Sequence, residues 1–220
     1  MIFGDSYSTY ENYIPDGYAT YYCPNGRENT SIVSKMAYHD TWWARLIEKY
    51  DFNLVRNDSW SGATICHTGY DGVDCSKTKS FICRYNNLIK DGFFEKNNVD
   101  ILFVFGGTND SWANSPLGPV VNGEIKEQDL YYVRPAITYL LSGLKEQLPK
   151  TKTYFILNDE LKEEIVSYII AESERLGVEC IQLSGIEKEA GHPTVKGMER
   201  IYQQVANAVF MEKIYVARKK

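Results

Sequence analysis

The chain predicts an α/β fold of three layers, α/β/α, built on a five-stranded parallel sheet with helices on both faces. Three observations predict it. Short apolar runs that stop at Gly, Asn or Asp alternate along the chain with segments of helical period. The run Val99-Asp100-Ile101-Leu102-Phe103-Val104-Phe105 is almost continuously apolar, as a central parallel strand covered on both sides must be. No internal repeat, low-complexity tract or linker divides the sequence, so residues 1–220 read as one domain with a full-sized core.

Taken in order, Met1-Ile2-Phe3 opens the first strand, which breaks at Gly4-Asp5-Ser6. Residues 10–26 carry Tyr10, Tyr13, Tyr18, Tyr21 and Tyr22 among Pro and Gly with no period. This reads as a long ordered loop, and such loops are usually functional. Asp40 is placed to cap a helix running to about Tyr50, with Trp43, Leu46, Ile47 and Tyr50 on one face. Residues 52–55 read as the second strand, ended by Arg56-Asn57-Asp58, and the loop beyond holds Gly62, His67, Gly69 and Gly72. Phe81, Tyr85, Leu88 and Ile89 fit a helix. The central strand follows and ends at Gly106-Gly107, and residues 111–128 read as a second loop. Pro135 suits a first helical turn, continued by Ile137, Leu140, Leu141, Leu144 and Leu148. Residues 153–157 are the fourth strand. Asp159 reads as the cap of a helix that buries Leu161, Ile165, Ile169 and Leu176 and stops at Gly177. Residues 178–183 are the fifth strand. After a loop over residues 187–192, Pro193 disfavours helical geometry at His192 and can open a last helix with Met198, Ile201, Val205 and Val209 on its inner face.

Composition narrows the function. A net charge of -5 argues against a nucleic-acid partner, and the basic end Ala217-Arg218-Lys219-Lys220 reads as a solvated tail. No apolar run is long enough for a membrane span, so no membrane partner is expected. Five cysteines, with no Cys-x-x-Cys pair, suit a reduced, cytoplasmic chain. Removal of an upstream signal segment would make it secreted or periplasmic instead. The one disulfide worth testing is Cys66–Cys75, across a Gly-rich stretch. No Cys/His set has zinc spacing, and Asp71 and Asp74 beside Gly72 read as a solvated turn rather than a calcium loop, so no cofactor is implied.

The chemistry centres on Ser6. A strand that breaks at Gly-Asp-Ser presents a hydroxyl at the carboxyl end of the strand, where open α/β sheets bind ligands. A serine hydroxyl needs a base within hydrogen-bond reach. Of the three histidines, His39 precedes a helix cap and reads as a surface residue, while His67 is placed to line the site. His192 follows the last strand and approaches the same sheet edge as Ser6. Gly62 has no side chain, so its N–H can approach a ligand closely. Asn109 supplies an amide at the end of the central strand.

Four blocks, Gly4-Asp5-Ser6, Asn57-Asp58-Ser59-Trp60-Ser61-Gly62, Gly107-Thr108-Asn109-Asp110 and Gly191-His192-Pro193, resemble those of the SGNH (GDSL-type) hydrolase family in kind and order. The resemblance implies a flavodoxin-like strand order, 2-1-3-4-5. It implies Ser6 as nucleophile, His192 as base, and an oxyanion hole made by the N–H groups of Ser6 and Gly62 with the Asn109 amide. The family's Asp-x-x-His block has Glu189 in place of the aspartate, so the third member is Glu189, with Glu187 or a main-chain carbonyl as alternatives. Tyr7 stands where the family more often has leucine, a change expected not to touch the chemistry.

Tyr7, Trp60, His67 and Trp112 are expected to contact substrate. Trp60 and Trp112 flank the oxyanion residues, and Tyr7, Tyr10 and Tyr13 follow the nucleophile. Aromatic faces with polar handles suit a sugar. The expected partner is therefore a small-molecule or carbohydrate ester, and the expected activity is hydrolysis of short-chain carboxylic esters, removal of O-acetyl groups from carbohydrate in particular. The alternatives are a lipid acylhydrolase or thioesterase, and a catalytically silent carbohydrate-binding module. A flavin carrier fits poorly, because Asp5 repels a phosphate and Asn109 and His192 are left without a role.

Overall fold

The computed structural model describes residues 1–26, 34–121 and 123–217, with side chains through residue 210. The basic tail expected at residues 218–220 lies outside them. Five parallel strands run β1 Ile2–Gly4, β2 Asn57–Ser59, β3 Ile101–Phe105, β4 Lys152–Leu157 and β5 Glu179–Gln182, in the order β2-β1-β3-β4-β5. This is the order the family resemblance implied. The register pairs Ile2 with both Asn57 and Phe103, Ile101 with Lys152, and Tyr154 with Glu179.

Alternation along the strands divides the core in two. Ile2, Phe103, Phe105, Tyr154 and Ile156 face one side, covered by α1 Trp42–Tyr50 and α7 Val195–Ala217. Phe3, Leu102, Val104, Phe155 and Leu157 face the other, covered by α2 Phe81–Lys90, α5 Val133–Gln147 and α6 Glu163–Leu176. Two short helices, α3 Phe93–Lys96 and α4 Thr108–Trp112, complete the helical set among the described residues, with 3-10 turns at Ser6–Ser8, Tyr38–Asp40, Tyr70–Gly72 and Glu127–Tyr131. No helix among the described residues is long and apolar enough to cross a membrane.

Several boundaries differ from the sequence expectation, among them the start of the last helix, at Val195 rather than Pro193. The second strand is Asn57–Ser59, not residues 52–55. Its polar side chains are buried because each has a partner: Asn57 Nδ2 donates to the Ser8 carbonyl at 2.8 Å and Ser59 Oγ to Asn57 Oδ1 at 2.6 Å. The apolar stretch before it lines a cavity of about 400 Å³ at the amino ends of the strands. Thr41, not Asp40, caps α1, accepting from Ala44 N at 3.3 Å, while Asp40 pairs with Arg45 at 3.0 Å. Asp159 caps no helix, since α6 starts at Glu163; it accepts from Ile186 N at 3.0 Å and pairs with Lys188, tethering the chain that leads to His192.

Candidate active site

The carboxyl edge of the sheet gathers the reactive side chains. Gly4 ends β1 where no side chain fits: a Cβ there meets Ser59 Oγ at 2.6 Å and Ser8 Cβ at 2.8 Å. The buried guanidinium of Arg84 supports this end from below, donating to the Gly4 carbonyl at 3.1 Å and to Asp58 Oδ1 at 2.8 Å. Asp5 then caps the Ser6–Ser8 turn, its Oδ1 accepting from Tyr7 N at 3.0 Å. Burial raises the Asp5 carboxyl to about 7. Ser6, only 2% exposed, places its Oγ 3.0 Å from His192 Nε2.

His192 rides on a small hairpin, β6 Lys188–Glu189 paired with β7 His192–Pro193. The two turn residues both have positive φ, 48° at Ala190 and 78° at Gly191, as tight primed hairpin turns require. This curl brings the Ala190 carbonyl to 3.2 Å from His192 Nδ1. A carbonyl only accepts, so the proton resides on Nδ1 and Nε2 is left with a lone pair facing Ser6. Burial lowers the imidazole to about 4, which keeps it neutral at ordinary pH. The Tyr21 ring stacks on it at 3.6 Å and 7°, and the Trp112 ring meets it edge-on at 5.7 Å.

The structure does not bring the expected third member to the ring. Glu189 lies directly across the hairpin from His192, yet it is exposed and no hydrogen bond joins its carboxylate to the ring. The turn's own backbone reaches Nδ1 first, with no charge to desolvate. Glu187 is engaged elsewhere, accepting from Thr194 Oγ1 at 2.7 Å.

The expected oxyanion donors are two backbone N–H groups and one side-chain amide. Gly62 has φ 75°, a conformation glycine adopts without strain. Neither the Ser6 nor the Gly62 N–H donates to another described residue. Asn109, in α4, donates one Nδ2 proton to the Ala63 carbonyl at 3.0 Å, and its Oδ1 accepts from the Tyr70 hydroxyl at 2.8 Å. These two bonds fix the amide's orientation and leave its second N–H proton uncommitted. Asp110 ties the glycine loop down, accepting from Ile65 N at 2.8 Å and Cys66 N at 3.2 Å.

The four residues expected to contact substrate divide. Trp112 is 37% exposed beside His192, and Trp60 is half-buried with Tyr18 stacked on it at 4.1 Å. Tyr7 is wholly buried, because the 3-10 turn points it into the core, where it touches Phe105 and the inner side of His192. His67 is buried too and bonds Ser80 Oγ at 3.0 Å through Nδ1, away from Ser6. Tyr18, Tyr21, Tyr70 and Ala190 are the residues missed as individuals, although the first two belong to the aperiodic tyrosine loop. All five cysteines are free, so the Cys66–Cys75 bridge does not form. Among the described residues no cluster of His, Cys, Asp or Glu is disposed to hold a metal ion.

Comparison with known proteins identifies the family. The family model for GDSL-like Lipase/Acylhydrolase matches residues 1–209. A Bacteroides ovatus protein assigned as a GDSL-like lipase is 40% identical, with a TM-score of 0.84 over 96% of each chain. The fold alone is shared with a family two carbohydrate esterase from Clostridium thermocellum, solved in complex with cellohexaose, at 15% identity and a TM-score of 0.58 over 97% of this chain and 63% of that one. It is shared likewise with an acetyl xylan esterase from Butyrivibrio proteoclasticus, at 17% identity and a TM-score of 0.59 over 96% and 62%. No curated protein matches the chain. By the extent of the family match and the identity to its relatives, the chain belongs to the GDSL-like lipase/acylhydrolase family and is a serine ester hydrolase.

Proposed function

We propose that the protein removes short acyl groups, acetyl above all, from a carbohydrate ester through an acyl-enzyme on Ser6. The observation that carries the catalytic part is the 3.0 Å contact between Ser6 Oγ and an Nε2 whose tautomer leaves it free to accept. In this mechanism Ser6 Oγ attacks the ester carbonyl carbon while His192 Nε2 takes the hydroxyl proton. The carbonyl oxygen becomes an oxyanion, held by the Ser6 and Gly62 N–H groups and the uncommitted Asn109 proton. His192 returns its proton to the departing alcohol. Water, activated by the same imidazole, then releases the acid and restores Ser6.

The substrate part is supported by what lines the approach. Trp112 lies beside the base and Trp60, backed by Tyr18, follows β2 on the way to Gly62. Flat rings with polar edges favour a hydroxylated, flat-sided leaving group over an aliphatic chain. Hydrolysis of nitrophenyl esters of increasing acyl length tests this reading, run beside acetylated sugars. Activity should fall steeply from acetyl to octanoyl, and Trp112→Ala should raise KM for an acetylated sugar. A preference for octanoyl or longer chains overturns the short-acyl assignment, and an unchanged KM in Trp112→Ala overturns the carbohydrate assignment alone.

A further inference from the structure

A base without a carboxylate partner must be held by something else, and the molecule supplies two tyrosines. We infer that Tyr7 and Tyr21 are positioning residues that together hold the His192 imidazole in line with Ser6, Tyr7 by hydrogen bonding the hairpin backbone and Tyr21 by stacking on the ring. The inference rests on the proposed role of His192 as base.

The two contacts fix different things. Tyr7 Oη donates to the Gly191 carbonyl at 2.5 Å and accepts from Asn158 Nδ2 at 3.2 Å, so both roles of this buried hydroxyl are filled. The Gly191 carbonyl belongs to the peptide that leads directly into His192, and pinning it fixes where the ring is launched. Burial and the neighbouring Asp5, Asp159 and Glu160 push the phenol well above its ordinary range, so the proton stays on Tyr7 and on that bond. Tyr21 acts on the ring itself, since a parallel contact at 3.6 Å and 7° restricts rotation about χ2.

Both tyrosines are wired to the nucleophile's own turn. Tyr7 is the next residue after Ser6. Tyr21 is tied through Thr9, whose Oγ1 accepts from Tyr21 N at 2.9 Å and donates to the Ser6 carbonyl at 3.0 Å. Base and nucleophile are therefore registered against one short turn, although they lie at opposite ends of the chain. A carboxylate in a serine triad holds the imidazole's orientation and tautomer. Here the Ala190 carbonyl selects the tautomer and the tyrosines supply the orientation.

Tyr7→Phe, Tyr21→Leu, Tyr21→Phe and His192→Ala test the clamp in the full chain, assayed on a nitrophenyl acetate. Misplacing a reacting group by an ångström costs up to about 10²-fold in rate. Tyr7→Phe and Tyr21→Leu should each lose about 10-fold or more in kcat with KM within about twofold, and Tyr21→Phe, which keeps the stack, should recover most of it. Because the Gly191 carbonyl that Tyr7 pins lies in the same turn as the Ala190 carbonyl, its release in Tyr7→Phe should let the Ala190 carbonyl drift from Nδ1 and move the ¹⁵N shifts of the His192 ring toward a tautomer mixture, which a merely structural tyrosine would not cause. If Tyr7→Phe is too unstable to assay, Tyr21→Leu carries the test from a half-buried position. Wild-type kcat and unchanged ring shifts in both tyrosine variants, beside a dead His192→Ala, overturn the clamp alone. An active His192→Ala removes the base and the clamp together.

Discussion

Among the described residues two serine–histidine pairs each have the hydroxyl 3.0 Å from a ring nitrogen. Ser80 and His67 are buried, and so is Ser6, with His192 beside it only partly open. Burial lowers both imidazoles. Neither the distance nor the direction in which burial moves the ring therefore tells the pairs apart. What differs is what each hydroxyl already does. Ser80 Oγ is the N-cap of α2, accepting from Cys83 N at 3.1 Å, and its histidine packs edge-on against Tyr131. Ser6 Oγ caps nothing, and the three donors proposed for the oxyanion, the Ser6 and Gly62 N–H groups and one Asn109 amide proton, have no acceptor among the described residues. A Ser–His contact becomes reactive machinery only where charge that develops on a third group can be received.

The largest expected effect separates the pairs directly. Ser6→Ala should cut ester turnover by about 10⁴-fold or more with the fold intact. Ser80→Ala should leave kcat within about twofold and cost about 1 kcal/mol of stability, the usual size of a lost N-cap. Turnover and thermal unfolding of the two variants, measured side by side, check both halves. An active Ser6→Ala, or fluorophosphonate labelling at Ser80, reverses the assignment.

Next in size is the oxyanion donor. Asn109→Ala should reduce kcat by roughly 10²–10³-fold, the effect of deleting one such donor. A loss confined to KM makes Asn109 a substrate-binding residue instead. The comparison therefore turns on Asn109 as much as on the serines.

Much of this was legible beforehand, and the exceptions share a cause. The central strand, the helices of α2, α5 and α7, and the four reactive blocks announce themselves because period and residue type carry them. β2 did not, because Asn57 and Ser59 are polar and their burial makes sense only once the Ser8 carbonyl lies against them. The Ala190 carbonyl did not, because every residue owns one and only the turn aims it. Tyr7, expected to contact substrate, turns inward instead, and a 3-10 turn has no sequence period that says which side chain goes inside. His67, expected at the site, lies against Ser80 instead, and proximity to Gly62 in sequence says nothing about which way a loop folds.

Acidity offers a subtler separation. His192 is neutral down to about 4, so kcat/KM should stay flat from neutrality to below pH 6 and be halved only near about 4. An exposed histidine would halve it near its ordinary value of about 6.5. The groups against the ring are Ser6, Tyr7, Tyr21, Trp112 and the Ala190 carbonyl, none of them charged in this range, while Lys188 on its own hairpin is paired with Asp159 and Glu160. Asp5, one residue before Ser6, titrates near 7, so an inflection there belongs to it and should vanish in Asp5→Asn. Stability cannot replace this measurement, because the signs conflict. The lowered His192 loses stability as pH falls from about 6.5 through about 4. The raised Asp5 and Asp110, at about 7 and about 6, lose it as pH rises from the ordinary carboxylate range through those values. A limb near 6.5 in the rate profile says that the ring is open to water in the working enzyme.

The smallest expected effect concerns the residue that sequence alone makes most tempting. Glu189 stands where a triad carboxylate is expected, directly across the hairpin from His192. Its carboxylate is exposed, however, and an exposed charge acting through water at several ångströms is worth about 1 kcal/mol at most, less in salt. The ring's Nδ1 proton is already accepted by Ala190. Glu189→Gln removes the charge and leaves that carbonyl, the hairpin register and Tyr7 untouched, so kcat should change by about twofold or less, and the residual effect should fade as ionic strength rises. A loss of about 10-fold or more in kcat at constant KM, persistent in salt, means that the side chain swings onto Nδ1 when the imidazolium forms, and that the backbone carbonyl serves only the resting enzyme.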